Sequence, residues 1–237
     1  MSAVKDRRKN LMSSVEAPAK RTRGRPPVRS DEETRHLIAA AARREFLTRG
    51  YVGACVDDIA RSAGVSKKTL YRLVPAKADL FKTSVADRIG QFMHAVDEVA
   101  LRPLGVAAAL ERILTEFGNL ALSDDTIAIQ RLAISEVERF PELAASFYAE
   151  AVLVTQRLLA DFLARQCANG TLSLDDPLEA AGMLRGMMVM EPQRAVMLGR
   201  GVVPTSHEIE ERSRACVRLF LSGCLKLNQS ASEVSSG

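Results

Sequence analysis

Apolar side chains recur at three- and four-residue intervals through most of this chain. No alternating stretch is long enough to build a sheet, so the pattern predicts an all-α fold. Ile38, Ala41, Ala42 and Phe46 give one apolar side to a helix over residues 35–49, closed by Gly50. Val56, Ile59, Ala60 and Ala63 then fall at i, i+3, i+4 and i+7, which predicts a short helix. It ends at Gly64, where glycine accepts a left-handed backbone without steric cost. Ser66 is placed to cap a second short helix, with Leu70 and Leu73 or Val74 inward, and Pro75 stops it. A long amphipathic helix begins near Lys77, with Phe81, Val85, Ile89, Phe92, Met93 and Val96 as its stripe.

The same periodicity predicts helices over residues 104–122 and 126–140, the second ended by Pro141, and a long one over 142–168 ended by Asn169-Gly170. Pro177 suits the first turn of the next, because its missing N–H costs nothing there. That helix bends near Pro192 and ends at Gly199, and a last helix spans about residues 206–227. A serine-rich tail follows.

Chemistry concentrates in the two short helices joined at Gly64. Ala60 is small enough for the second helix to cross the first closely, while Lys67, Lys68, Thr69 and Arg72 stay on the outer face of the second. That arrangement is a helix-turn-helix, whose second helix enters a major groove. Any helical hairpin can show one alanine, one glycine and apolar neighbours, so the surroundings matter.

Those surroundings carry a family resemblance. The segment from Thr34 to Phe81 resembles the TetR family of bacterial transcription regulators through a string of motifs. They are Ala-Ala-x-x-x-Phe in the first helix, Gly50-Tyr51, Asp58-Ile59-Ala60, Ala63-Gly64-Val65-Ser66, Thr69-Leu70-Tyr71 and Pro75-x-Lys77-x-x-Leu80-Phe81. Residues 170–199, with Asp176-Pro177-x-x-Ala180-Ala181, look like the C-terminal domain of the AefR-like and AcrR-like branch. The resemblance implies a helix-turn-helix head joined by a long helix to a helical ligand-sensing and dimerising domain, two-fold binding to an operator, and usually repression. It also implies that Tyr71 and Lys77 hold phosphates. Lys67, Lys68 and Thr69 are the candidates for base edges, and Arg72 could do either.

Three positions depart from the family pattern. Cys55 stands where threonine or serine usually opens the first helix of the reading unit, and is a poor cap and phosphate donor. Ala76 replaces a capping serine, which leaves Asp79 to serve the helix dipole. Val74 occupies a common aromatic position. These substitutions bear on single contacts, not on the fold.

With 47% hydrophobic residues in 237, the chain can bury a sizeable core and is comfortable for two domains sharing a helix. The expected organisation is a basic arm over 1–29, a DNA-binding head over 30–82, a ligand-binding and dimerisation domain over 83–227 and a tail over 228–237. Cys55, Cys167, Cys216 and Cys224 form no CxxC pair and no signal peptide is evident, which suggests a reducing cytoplasm. No apolar run reaches membrane-spanning length, so the expectation is a soluble protein without a membrane partner.

Charge changes the picture of the first 29 residues. They hold nine Lys or Arg against two acids in a chain of net charge +4, so everything after them is net acidic. Without apolar periodicity, and with Pro18, Pro26 and Pro27, this arm reads as disordered until an anion orders it. Arg23-Gly24-Arg25-Pro26 resembles an AT-hook core, which would place Arg23 and Arg25 in a narrow A·T-rich minor groove. The alternative is a solvated tail that makes phosphate contacts alone.

Dimerisation is expected through the last two long helices. Ala180, Ala181, Gly182 and Gly186 permit close backbone approach, and the terminal helix presents a wide apolar face. The other reading is packing within one subunit. For a small apolar or amphipathic effector, Phe117, Leu120, Ile134 and Phe147 are candidate cavity walls. Tyr148, Met187, Met188 and Met190 join them, since aromatics and methionine make adaptable linings; as core residues they would need no ligand. Arg131 and Arg185 interrupt apolar stretches and are candidates for an anionic group, or for an ion pair or a solvated face.

Catalysis is not expected. The chain has no GxSxG elbow, no GxxxxGK[ST] loop and no complete GxGxxG. His36, His94 and His207 sit far apart on separate segments, so spacing suggests no metal site, and no cofactor is implied. The sequence thus reads as a sequence-specific DNA-binding regulator. Two alternatives stay open: an effector-independent or activating regulator, and an architectural DNA-binding protein acting through its basic arm.

Overall fold

The computed structural model describes residues 29–97 and 101–224, and every regular element among them is helical. Helix α1 (Asp31–Gly53) starts earlier than the apolar period suggests, because Ser30 and Glu33 form a reciprocal capping box. It is interrupted at Gly50 (φ 68°), and one further turn follows. Helix α2 (Val56–Ala63) meets α3 (Lys67–Leu73) at Gly64, whose left-handed φ of 67° and ψ of 35° turn the chain while Val65 N–H returns to Ala60 O at 3.0 Å. The Ser66 hydroxyl accepts from Thr69 N–H at 3.0 Å, a cap whose loss costs about 1 kcal/mol.

Helix α4 (Lys77–Ala95) runs from the head into the body. Its first turns bring Leu80, Phe81 and Val85 into one core with Ile38, Phe46, Ile59 and Leu70, and its later turns bring Ile89 and Phe92 into a second. The second core is built on α5 (Val106–Ala121), α8 (Val154–Ala168), α9 (Pro177–Met197) and α10 (Ser206–Cys224). Helix α5 crosses α9 and α10 closely at Gly118, where an added Cβ would stand 2.5 Å from Met188 Cε and 2.7 Å from Ile209 Cγ2.

Between them lie α6 (Asp124–Ser135) and α7 (Pro141–Phe147). Ile129, Ala133 and Leu143 from these two helices belong to the head's core, and Phe140 meets Tyr51 edge-on at 4.9 Å, so the head is packed on the body by side chains as well as by α4. The sequence period placed one helix across 126–140. Instead Ser123 caps α6 and starts it earlier, and the chain turns through 136–140 because a residue before proline is pushed out of the helical region. The expected helix over 142–168 forms, but its first part is α7 followed by a wider π-helical turn (Tyr148–Leu153) before α8. Asp176 caps α9 through Leu178 and Glu179 N–H at 2.8 and 3.1 Å, and Pro192 lies within that helix.

Candidate nucleic-acid interface and a cavity beneath it

The recognition surface follows from how α3 is seated. Leu70 and Leu73 are buried against α1 and α2, which turns Lys67, Lys68, Tyr71 and Arg72 outward; Tyr71 is 42% exposed. Thr69 is half-buried, and its hydroxyl is engaged by the Ser66 hydroxyl at 2.8 Å. Two of the cations already have carboxylate partners. Lys67 Nζ is 2.7 Å from Asp57 Oδ1, and the Arg72 guanidinium donates two bonds to Asp31 at 2.8 and 2.7 Å. Hydrogen bonding to Arg72 holds the Asp31 carboxyl below the usual carboxylate range. Lys68 makes no ion pair among the described residues, so it presents the unneutralised charge of the helix.

Lys77 turns back onto the head. Its Nζ donates to Val52 O at 3.2 Å and lies 5.1 Å from the Tyr51 ring centroid, and burial pushes its pKa down. Cys55 caps nothing with its side chain; its backbone N–H is taken by Glu45 Oε1 at 3.3 Å instead. Asp79 Oδ2 accepts from Ala76 N–H at 3.2 Å, so the acid keeps the reciprocal half of a capping box while Ala76 has no side-chain acceptor for the other half. Arg23 and Arg25 lie outside the described residues. Arg29, where the description begins, has its Nη1 3.9 Å from where a Cβ on Gly64 would sit.

Because Asp31 and a DNA phosphate compete for one guanidinium, Asp31→Asn is expected to strengthen binding to duplex DNA roughly two- to threefold at low salt. Fluorescence anisotropy across a salt series checks this. An unchanged salt slope would mean that Arg72 stays off the backbone.

A cavity of about 110 Å³ opens where head and body meet. Phe117, Leu120 and Phe147 line it, as do Arg43 of α1 and Ser84, Val85, Arg88 and Ile89 of α4. Asp125, Ala151, Val152, Thr155 and Arg185 complete much of the remaining wall. The other residues singled out from the sequence as walls are not brought to it. Ile134, Tyr148 and Met190 are more than half exposed. Met187 packs on the body core with its carbonyl accepting from Arg212 at 2.8 Å. Arg131 instead caps the end of α9, donating to Val196 O and Met197 O at 3.2 and 3.3 Å. The sequence reading missed Arg43, Arg88 and Asp125, since each sits on the polar side of its helix. It also missed the π-helical turn, a local widening that is frequent at functional sites and that precedes Thr155 here.

A small helix-turn-helix head seated on a larger helical body, with a cavity under their junction, defines a class of DNA-binding regulators. Residues 38–83 match the tetR family of bacterial regulatory proteins, and residues 108–223 match the C-terminal domain of AefR-like transcriptional repressors. The chain belongs to the TetR family, whose members are DNA-binding transcription regulators, usually repressors, and not enzymes. A candidate mycofactocin biosynthesis transcriptional regulator, MftR, from Mycobacterium tuberculosis (strain ATCC 25618 / H37Rv) is 27% identical over 139 residues, 58% of this chain and 68% of its own length. A TetR-family structure from Mesorhizobium loti MAFF303099 superposes with a TM-score of 0.71 at 23% identity, covering 84% of this chain and all of the other. The flavonoid-responsive regulator FrrA gives 0.64 at 29% identity over 82% of this chain and 98% of its own. Among the described residues, no helix is long and apolar enough to cross a membrane.

Proposed function

We propose that this protein is a ligand-responsive repressor that binds a palindromic operator as a homodimer and acts in the cytoplasm. Its working parts are a DNA-binding head over 30–82, a sensing and dimerising body over 83–227, and a basic arm over 1–29. The observation that carries this reading is the outward face of α3, where Lys68 stands unneutralised beside Lys67, Tyr71 and Arg72. Lys67, Lys68 and Thr69 approach base edges; Tyr71 and Lys77 contact phosphates; Arg72 contributes once Asp31 releases it. Arg23 and Arg25 add minor-groove or phosphate contacts from the basic arm.

Dimerisation is supported by where large apolar side chains stay exposed. Among the described residues, Leu178, Met183 and Met190 on α9 and Leu219 on α10 stay about half or more exposed in one subunit. Paired through these helices, two recognition helices can reach successive major grooves roughly 34–36 Å apart. An effector in the cavity would alter that spacing and so release the operator. The naming of FrrA as flavonoid-responsive supports a small-molecule input.

The test is competition binding to a palindrome from the DNA flanking the coding region. Lys68→Ala is expected to cost about 1–3 kcal/mol of specific affinity, and Tyr71→Phe to lower it further through a lost phosphate contact. If both variants bind normally while deletion of residues 1–29 abolishes binding, the arm alone is the DNA-binding device and the protein is architectural.

A further inference from the structure

The cavity wall carries three arginines, Arg43, Arg88 and Arg185, against one carboxylate, Asp125. Arg43 is taken up by Asp87 at 3.1 Å. The other two are not balanced. Arg185 lies with its guanidinium carbon 4.9 Å from the Phe117 ring centroid, and Arg88 reaches Gln91 and Ser123 only at 3.5 Å, long for a hydrogen bond. The Nε of each is buried and meets no acceptor among the described residues. Burial pushes the Arg185 pKa down to about 10, which still leaves it cationic at neutral pH. A desolvated cation without a counter-ion is costly, and an anion delivered into the cavity offsets that cost.

The same wall presents an apolar group, Val85, Ile89, Leu120 and Phe117, beside a few uncharged polar side chains such as Thr126 and Thr155. The volume, about 110 Å³, is several times what a single water requires. We propose that the cavity takes a small amphipathic carboxylate, its charged end engaged by Arg88 and Arg185 and its apolar end against Val85, Ile89 and Leu120. Asp125 in the same wall disfavours a dianion such as a phosphate monoester. This rests on the effector-responsive reading above and names the chemical class of that effector.

Calorimetry and thermal unfolding of the full chain with hexanoate and 3-phenylpropanoate, each beside its primary amide as a neutral match, test the proposal. At least one acid is expected to bind and raise the Tm, with its amide roughly tenfold weaker or silent. Arg185→Met is expected to raise the Tm of the ligand-free protein, because it removes an unpaired buried charge, and to weaken acid binding at least roughly tenfold. If it lowers the Tm instead, Arg88→Met, which leaves the Phe117 contact intact, decides the case by the same loss of acid binding. Amides binding as tightly as acids, or acid binding undiminished in both arginine variants, overturns the carboxylate while leaving a small-molecule response standing. No binding of any of the four compounds overturns the carboxylate. Acid binding that leaves operator retention unchanged supports the site and sinks its role in regulation.

Discussion

Phe81→Ala is expected to lower the unfolding free energy by about 3–5 kcal/mol, the range for deleting a fully buried aromatic ring. The Phe81 ring has no exposure. It stands edge-on to Phe46 and Tyr51, with centroids at 5.8 and 6.5 Å, and Tyr51 in turn packs on Phe140 of the body. The lost ring therefore removes the aromatic joint that couples α1 to α4 and, through Tyr51, head to body. Urea denaturation should show a lower midpoint with an unchanged slope. Operator affinity should fall at temperatures where wild type still binds, because α3 is held by the same core. A loss under about 1 kcal/mol would mean that Leu80 and Phe46 collapse into the space and that the joint is not mechanically required.

This joint also shows where sequence is informative and where it stops. Phe46 and Phe81 fall on the apolar stripes of their two helices, Tyr51 stands in the Gly50-Tyr51 motif of the family resemblance, and Gly64 and Ser66 punctuate α2 and α3 by local chemistry, so the head could be read residue by residue. Local signals also sufficed for the start of α9 at Asp176-Pro177. The cavity was different. Its walls come from α1, α4, α5, α6, α7, the π-helical turn, α8 and α9, several of them far apart in sequence, and whether Met190 or Val189 faces inward depends on how α9 is rotated. Periodicity assigns an apolar side to a helix but not the neighbour that covers it. Most polar liners escape, because Arg43, Arg88 and Asp125 look like solvent-facing residues until tertiary packing closes over them; Arg185, which interrupts an apolar stretch, is the liner that the sequence did mark. Of the residues chosen as walls, Phe117, Leu120 and Phe147 stand there; the exposed Ile134 and Tyr148 were chosen by the same apolar criterion.

The second large effect is expected at Asp87, on the α4 surface that faces α1. Its carboxylate is 6% exposed and accepts from Arg43 Nη2 at 3.1 Å, from Gln91 Nε2 at 3.3 Å and from His36. Arg43 is itself 12% exposed and also donates to Ser84 O at 2.8 Å; burial lowers its pKa, and the bond to Asp87 opposes that shift. Asp87→Ala leaves this guanidinium desolvated beside Arg88, and a cost of about 3–5 kcal/mol is expected. Replacing both members, as Asp87→Leu with Arg43→Met, should recover most of the loss, since a buried pair and a packed apolar pair are often close in free energy. A double-mutant cycle by urea denaturation measures the coupling directly. If Asp87→Ala costs less than about 1 kcal/mol, water entering from the adjoining cavity solvates Arg43 and the pair behaves as a surface one. The functional consequence follows from position. Arg43 is at once a cavity wall and a member of the head, and Asp87 is its tie to α4. The double variant should therefore fold and bind operator while responding less to whatever fills the cavity, because the charged contact between ligand space and head has been replaced by one that carries no charge.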